Sequence, residues 1–131
     1  MKIKQVSVFA ENQEGRLQAI LQALDTASVN LRAVSVSENA DFGIVRMIMD
    51  DPEKGAKALK KSGFTERTDN MLSAEIPDIP SGLLNAVVLP LAEAGINIVY
   101  FYAFIDQKPG TARMVLKTSD DEKAERLLSK K

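Results

Sequence analysis

Val6, Val8 and Ala10 alternate with Gln5, Ser7 and Phe9 near the start of the chain, which predicts a strand with one covered face. The period then changes. Leu17, Ile20, Leu21, Leu24 and Ala27 fall at i, i+3, i+4, i+7 and i+10, which makes one apolar stripe on a helix. Alternation returns from Arg32 to Glu38, Asp41-Phe42-Gly43 reads as a turn, and Ile44 to Met49 reads as a second, more buried strand. Asp51 ahead of Pro52 is a start signal for a second helix, and a strand from Phe64 to Asp69 closes the series.

The same series is then written again. A strand from Met71 to Ile76 leads to Leu84, Val87, Val88, Leu91 and Ala94 at the helical spacings already seen. Ile98 to Ile105, a Gln107-Lys108-Pro109-Gly110 turn and Ala112 to Leu116 follow, and Ser119-Asp120-Asp121-Glu122 has the S-x-x-E form of a capping box. Sliding the chain by 67 places aligns Gly15 to Met49 with Gly82 to Leu116 without a gap. Nine pairs are identical: Gly15/Gly82, Leu17/Leu84, Ala19/Ala86, Leu24/Leu91, Ala27/Ala94, Asn30/Asn97, Gly43/Gly110, Arg46/Arg113 and Met47/Met114. Chance would supply roughly two, so the chain carries an internal repeat.

Each copy has the order β-α-β-β-α-β, the ferredoxin-like plan of an α+β sandwich with the helices on one face of an antiparallel sheet. The expected domains are residues 1–69 and 70–131. Under this alignment Phe64 corresponds to Lys131, so the second repeat lacks its last strand; either the sequence is truncated or that sheet has an uncovered edge. Pro90 lies inside the second helical stripe and is expected to bend it.

Composition narrows the chemistry. The 131 residues are 45% hydrophobic, enough for a folded core, and 17 basic side chains are interspersed with 18 acidic ones. A net charge of −1 gathers neither phosphate backbones nor anionic lipid, so nucleic acid and membrane partners are not expected. No apolar run approaches the roughly 18 residues that span a bilayer, and MKIKQVSVFAEN alternates too strongly for a signal peptide, so a cytoplasmic protein is expected. The chain has no Cys and no His, which removes thiolate nucleophiles, disulfides, structural zinc and the commonest general base. No metal, no cofactor and no catalytic activity are expected.

The turns between first strand and first helix, ENQEG and DIPSG, hold the main candidate chemistry. Gly15 and Gly82 permit positive φ or close backbone approach, and the first peptide N–H groups of a helix suit a carboxylate. Asn12 and Asp78 stand beside them, either to cap the turn or to receive an ammonium group. A zwitterionic amino acid fits the second of these descriptions.

The doubled β-α-β-β-α-β plan, the turns Asn12-Gln13-Glu14-Gly15-Arg16-Leu17 and Asp78-Ile79-Pro80-Ser81-Gly82-Leu83, and AEAGINI at 92–98 resemble ACT domains over essentially the whole chain. The resemblance is to small proteins made only of tandem ACT domains. It implies a regulatory module that binds a small ligand, commonly an amino acid, at the interface between adjacent domains beside the first strand-to-helix turn. The positions it points to are Asn12, Gly15, Arg16 and Leu17 in the first copy and Asp78, Ser81, Gly82 and Leu83 in the second. Glu14 stands where the family often has Pro, and the second turn has one extra residue before its glycine, so the two sites are expected to be unequal. Leu17, Ile79 and Leu83 suggest an aliphatic or aromatic ligand side chain.

Strand parity supplies a second constellation. If Val34, Val36, Phe101 and Ala103 face the helices, then Tyr100, Tyr102 and Phe104 stand on the open face, with Arg46 and Arg113 beside them. Aromatic and arginine side chains are enriched at interfaces, so a homodimer contact is expected there. An RNA-binding sheet would need the K/R-G-F/Y-G/A-F-V-x-F/Y signature, which is absent.

The leading expectation is an amino-acid-binding regulatory module that dimerises and acts on a metabolic enzyme. The alternative is an interaction module working through the aromatic face. A small phosphatase on the same fold would have to pair Arg16 with Asn30 or Asn39, and it lacks a phosphate-cradling glycine loop.

Overall fold

The computed structural model describes residues 2–11, 13–38, 42–104 and 109–129, the side chains of Glu38, Phe42 and Phe104 excepted. Its order is β1 (Lys2–Glu11), α1 (Arg16–Thr26), β2 (Leu31–Glu38), β3 (Phe42–Met49), α2 (Pro52–Lys61), β4 (Thr65–Pro77), a π-helical turn (Leu84–Val88), α3 (Leu89–Glu93), β5 (Ile98–Phe104), β6 (Thr111–Thr118) and α4 (Asp121–Ser129). The α+β class expected from the alternating periods is observed. Two compact units divide the chain, one of residues Lys4–Asn70 and the other of Met71–Lys131 together with Met1–Ile3.

In the first unit the strand order is β2-β3-β1-β4, the ferredoxin-like arrangement, and β3 is antiparallel to both β1 and β2. Val6, Val8, Val45, Met47 and Met49 from the strands meet Ile20 and Leu24 of α1 and Leu59 of α2 in one core. The helical stripe is divided: Ile20 and Leu24 are buried and Ala27 packs against them, whereas Leu17 and Leu21 are about 40% exposed. Asp51 caps α2 by accepting the Lys54 amide hydrogen bond at 3.1 Å, and Pro52 occupies the first turn, as its position ahead of the helix predicts.

The second unit has the order β4-β6-β5, again antiparallel, with a core of Leu72, Ile76, Val87, Leu91, Ile96, Met114, Leu116 and Ala124. Among the described residues no strand follows α4. β4 has β1 as its other neighbour in the sheet, and Lys2 and Ile3 are grouped with this unit. The strands expected separately at 64–69 and 71–76 are likewise one uninterrupted strand, β4.

The ungapped repeat alignment also needs correction beyond Asn97. Val6 faces Met47 in the first unit, but the matching Leu72 faces Leu116, two places beyond the aligned Met114. Asp50 and Ser119 confirm the step, because their amides donate to the carbonyls of Asn30 and Asn97 respectively, and their side chains accept from those same asparagines' amides. Two extra residues therefore lie between the paired strands of the second copy. Side chains alternate with period two, so an even insertion leaves every residue on its original face.

That step moves the cap of α4. Asp120, not Ser119, accepts the amide hydrogen bond of Lys123, at 3.1 Å, and it matches Asp51. Ser119 instead accepts the Asn97 amide at 2.9 Å. The irregularity expected at Pro90 takes the form of the π turn just before it, where the Leu89 amide donates to the Leu84 carbonyl. A wider turn relieves the crowding between the proline ring and the carbonyl four residues back.

Candidate functional site

The first strand-to-helix turn leaves β1 through a Gln13 amide bonded to the Glu11 carbonyl at 2.9 Å. Gly15 then takes φ 83° and begins α1 without a side-chain cap. That φ lies in the left-handed region, where glycine is the residue that pays no steric cost. Open space surrounds the position where a Cβ would stand. Arg16, the first helical residue, holds its guanidinium 4.0 Å from the Glu11 carboxylate, with both side chains about half exposed.

A cavity of about 250 Å³ opens beside this pair, lined by Phe9, Ala10, Glu11, Arg16, Gly63, Phe64 and Thr65. It lies within the first unit, where the end of β1 and the start of α1 meet the turn from α2 into β4. Of the residues expected to hold a ligand, Arg16 lines the cavity and Gly15 shapes the turn leading to it. Leu17 does not line it; it stands on the exposed flank of α1 with Gln18, Leu21, Gln22 and Asp25. Asn12 lies outside the described residues.

The second turn is built differently. The Asp78 amide donates to the Gly110 carbonyl at 2.9 Å, and the Gly82 amide donates to that of Ile79 at 2.9 Å. Gly82 is buried, and a Cβ there would run into the Pro77 carbonyl oxygen. Its glycine serves close backbone packing, while Gly15 serves a positive φ. Leu83, at the place of Arg16, packs against the core, and Asp78 and Ser81 are exposed.

Sequence reading missed Phe9, Gly63, Phe64 and Thr65 as companions of Arg16. Phe9 carried a faint signal, as a large aromatic ring in a polar alternation of Gln5 and Ser7. The other three are more than forty residues from Arg16, and only the strand order brings them to it.

On the face of the strands away from the helices, Tyr102 faces Val115 and Phe104 faces Arg113, and the same Arg113 lies opposite Glu75 on β4. The rings of Tyr100 and Tyr102 stack with centroids 6.5 Å apart, and the Tyr100 hydroxyl points at the Met71 sulfur at 4.0 Å. Tyr102 is buried and Tyr100 half-buried within the chain itself; the side chain of Phe104 lies outside the described set. Arg46 donates to the Ser37 hydroxyl at 3.3 Å. Val34 and Val36 on β2 and Phe101 on β5 are exposed apolar side chains on the helix side of the edge strands.

The phosphatase alternative does not find its pair in Arg16 and Asn30. Arg16 opens α1 and Asn30 lies past its far end, about 16 Å of helix away, while Asn39 is outside the described residues. Among the described residues no group of three or more acidic side chains could hold a metal ion, and no helix is long and apolar enough to cross a membrane.

None of the curated proteins matches the chain in sequence. Among solved structures, protein BT0572 from Bacteroides thetaiotaomicron is 35% identical with a TM-score of 0.88, the match covering 99% of this chain and 88% of that one. The ligand-free regulatory subunit of aspartate kinase from Thermus thermophilus is 14% identical with a TM-score of 0.61 over 97% of this chain and 90% of its own, a likeness of fold. The aspartokinase alpha and beta subunits are similar in the same sense, at 17% identity and a TM-score of 0.57, covering 98% of this chain and 95% of that one. The family profile of an ACT domain pair matches residues 1–131, and the chain therefore belongs to the ACT domain pair family.

Proposed function

We propose that this protein is a non-catalytic regulatory module that binds a free amino acid beside its first strand-to-helix turn, with residues 1–69 and 70–131 as its two ACT domains. The observation that carries the reading is the cavity at the Glu11–Arg16 pair. One cation and one anion 4.0 Å apart complement the carboxylate and ammonium of a zwitterion, and charge-assisted hydrogen bonds are the strong ones. The family supports a ligand-binding role, and the fold shared with the aspartate kinase regulatory subunit supports a metabolic enzyme as the regulated partner. Occupancy regulates only if the ligand prefers one of two conformations of the protein.

A homodimer remains part of the proposal. Edge strands present unpaired backbone groups, and those of β2 and β5 carry exposed Val34, Val36 and Phe101, so a second copy offers a matching edge. Thermal denaturation with each of the twenty amino acids at millimolar concentration tests the ligand. A bound ligand raises the melting temperature, and twenty unchanged curves would reject the reading.

A further inference from the structure

We infer that the homodimer forms through β5 alone, the strand lying antiparallel to the β5 of a second copy about a two-fold axis at Tyr102, and that β2 stays outside the contact. This rests on the dimer part of the reading above and on none of its ligand part. β6 is the one strand beside β5 among the described residues, so the other side of β5 is an edge.

The core of the second unit stops one strand short of that edge. Leu116 and Met114 of β6 belong to it, yet their cross-strand partners Phe101 and Ala103 are exposed, Phe101 at 45%. The sequence of β5, IVYFYAF, has no charge, proline or glycine to hold another strand away. The outer strand of the first unit is different: β2 alternates Val34 and Val36 with Ser35 and Ser37 and exposes Arg32, the kind of edge that stays solvated.

The occupant follows from the pattern of β5. Its register on β6 is irregular between Ile98 and Tyr100 and regular from Tyr100 to Phe104, a stretch whose middle residue is Tyr102. A two-fold axis there sets the regular stretch against itself. Each Phe101 then lies opposite the other copy's Ala103, a large side chain across from a small one on the helix side, and the apolar layer continues past the edge. On the opposite face the stacked Tyr100 and Tyr102 rings gain the other copy's Tyr102 as a neighbour. No charge meets its like, and a two-fold contact closes on itself, which covers both β5 edges and leaves none for a third chain.

Light scattering over a concentration series, with Phe101→Lys and separately Val36→Lys, tests which edge is used. Phe101→Lys sets like charges against the paired strands and should raise the dimer dissociation constant at least about 100-fold, while Val36→Lys should leave it within about threefold. The chain has no cysteine, so introduced thiols read the register even if Phe101→Lys fails to fold. Directly opposed residues of an antiparallel pair have Cα atoms about 4.5–5.5 Å apart, within reach of a disulfide, and diagonal neighbours at about 7–8 Å are not. Under mild oxidation a mixture of Phe101→Cys and Ala103→Cys chains should form covalent dimers at least about tenfold faster than either variant alone, and a mixture of Val34→Cys and Val36→Cys chains should form none faster than its components. A dimer dispersed by Val36→Lys and not by Phe101→Lys, coupling through Val34 and Val36, or Phe101→Cys alone coupling as fast as the mixture would overturn the inference and leave the dimer standing. A chain that is monomeric at every concentration would overturn both.

Discussion

The Pro77 carbonyl oxygen occupies the space that a Cβ on Gly82 would need. At Gly15 nothing stands within 4 Å of that position, and the constraint is the left-handed φ of 83°. The two aligned glycines thus answer different demands. Gly15→Ala should cost about 1–2 kcal/mol through backbone strain, and Gly82→Ala about 3 kcal/mol through collision of side chain with backbone. Urea denaturation of both variants checks the ranking, and equal losses would contradict it.

Asp51 and Asp120 each accept an amide hydrogen bond from the residue three places on. Replacing either by Ala should destabilise the protein by about 1 kcal/mol. Replacing Ser119 by Ala should leave α4 capped, with loss of the Asn97 bond alone. Amide exchange of Lys123 separates the two cases: Asp120→Ala speeds it and Ser119→Ala does not.

Tyr102 is buried within one chain, so Tyr102→Ser should destabilise the monomer by about 3 kcal/mol whatever its oligomeric state. Edge residues behave otherwise. Val36→Lys combined with Phe101→Lys should leave the fold intact and convert the proposed dimer to a monomer, read by light scattering. A wild-type chain that scatters as a monomer at tens of micromolar would remove the dimer from the proposal.

The doubled plan was legible because it depends on periodicity alone. Ile20 and Leu24 declared a helix face, and Val6 and Val8 a strand face, before any contact was known. The capping residues were legible in kind and misplaced in one position, since a two-residue step between β5 and β6 leaves every alternation unchanged and so leaves no mark in the pattern. Of the expected ligand set, Arg16 lines the cavity of the first unit and Gly15 opens the helix beside it, whereas Leu17 stands on the exposed flank of α1.

The sequence by itself determined the two βαβ-type copies, the faces of their strands and helices, and the exclusion of thiol, imidazole and zinc chemistry, because each follows from residue type and spacing. The tertiary structure decided that β1 and β4 are neighbours, that the α2–β4 turn stands beside Arg16, and that the second turn is closed by its own backbone. Those outcomes depend on which strands pair and in what register, and pairing is chosen by the sum of many distant contacts that no local stretch encodes.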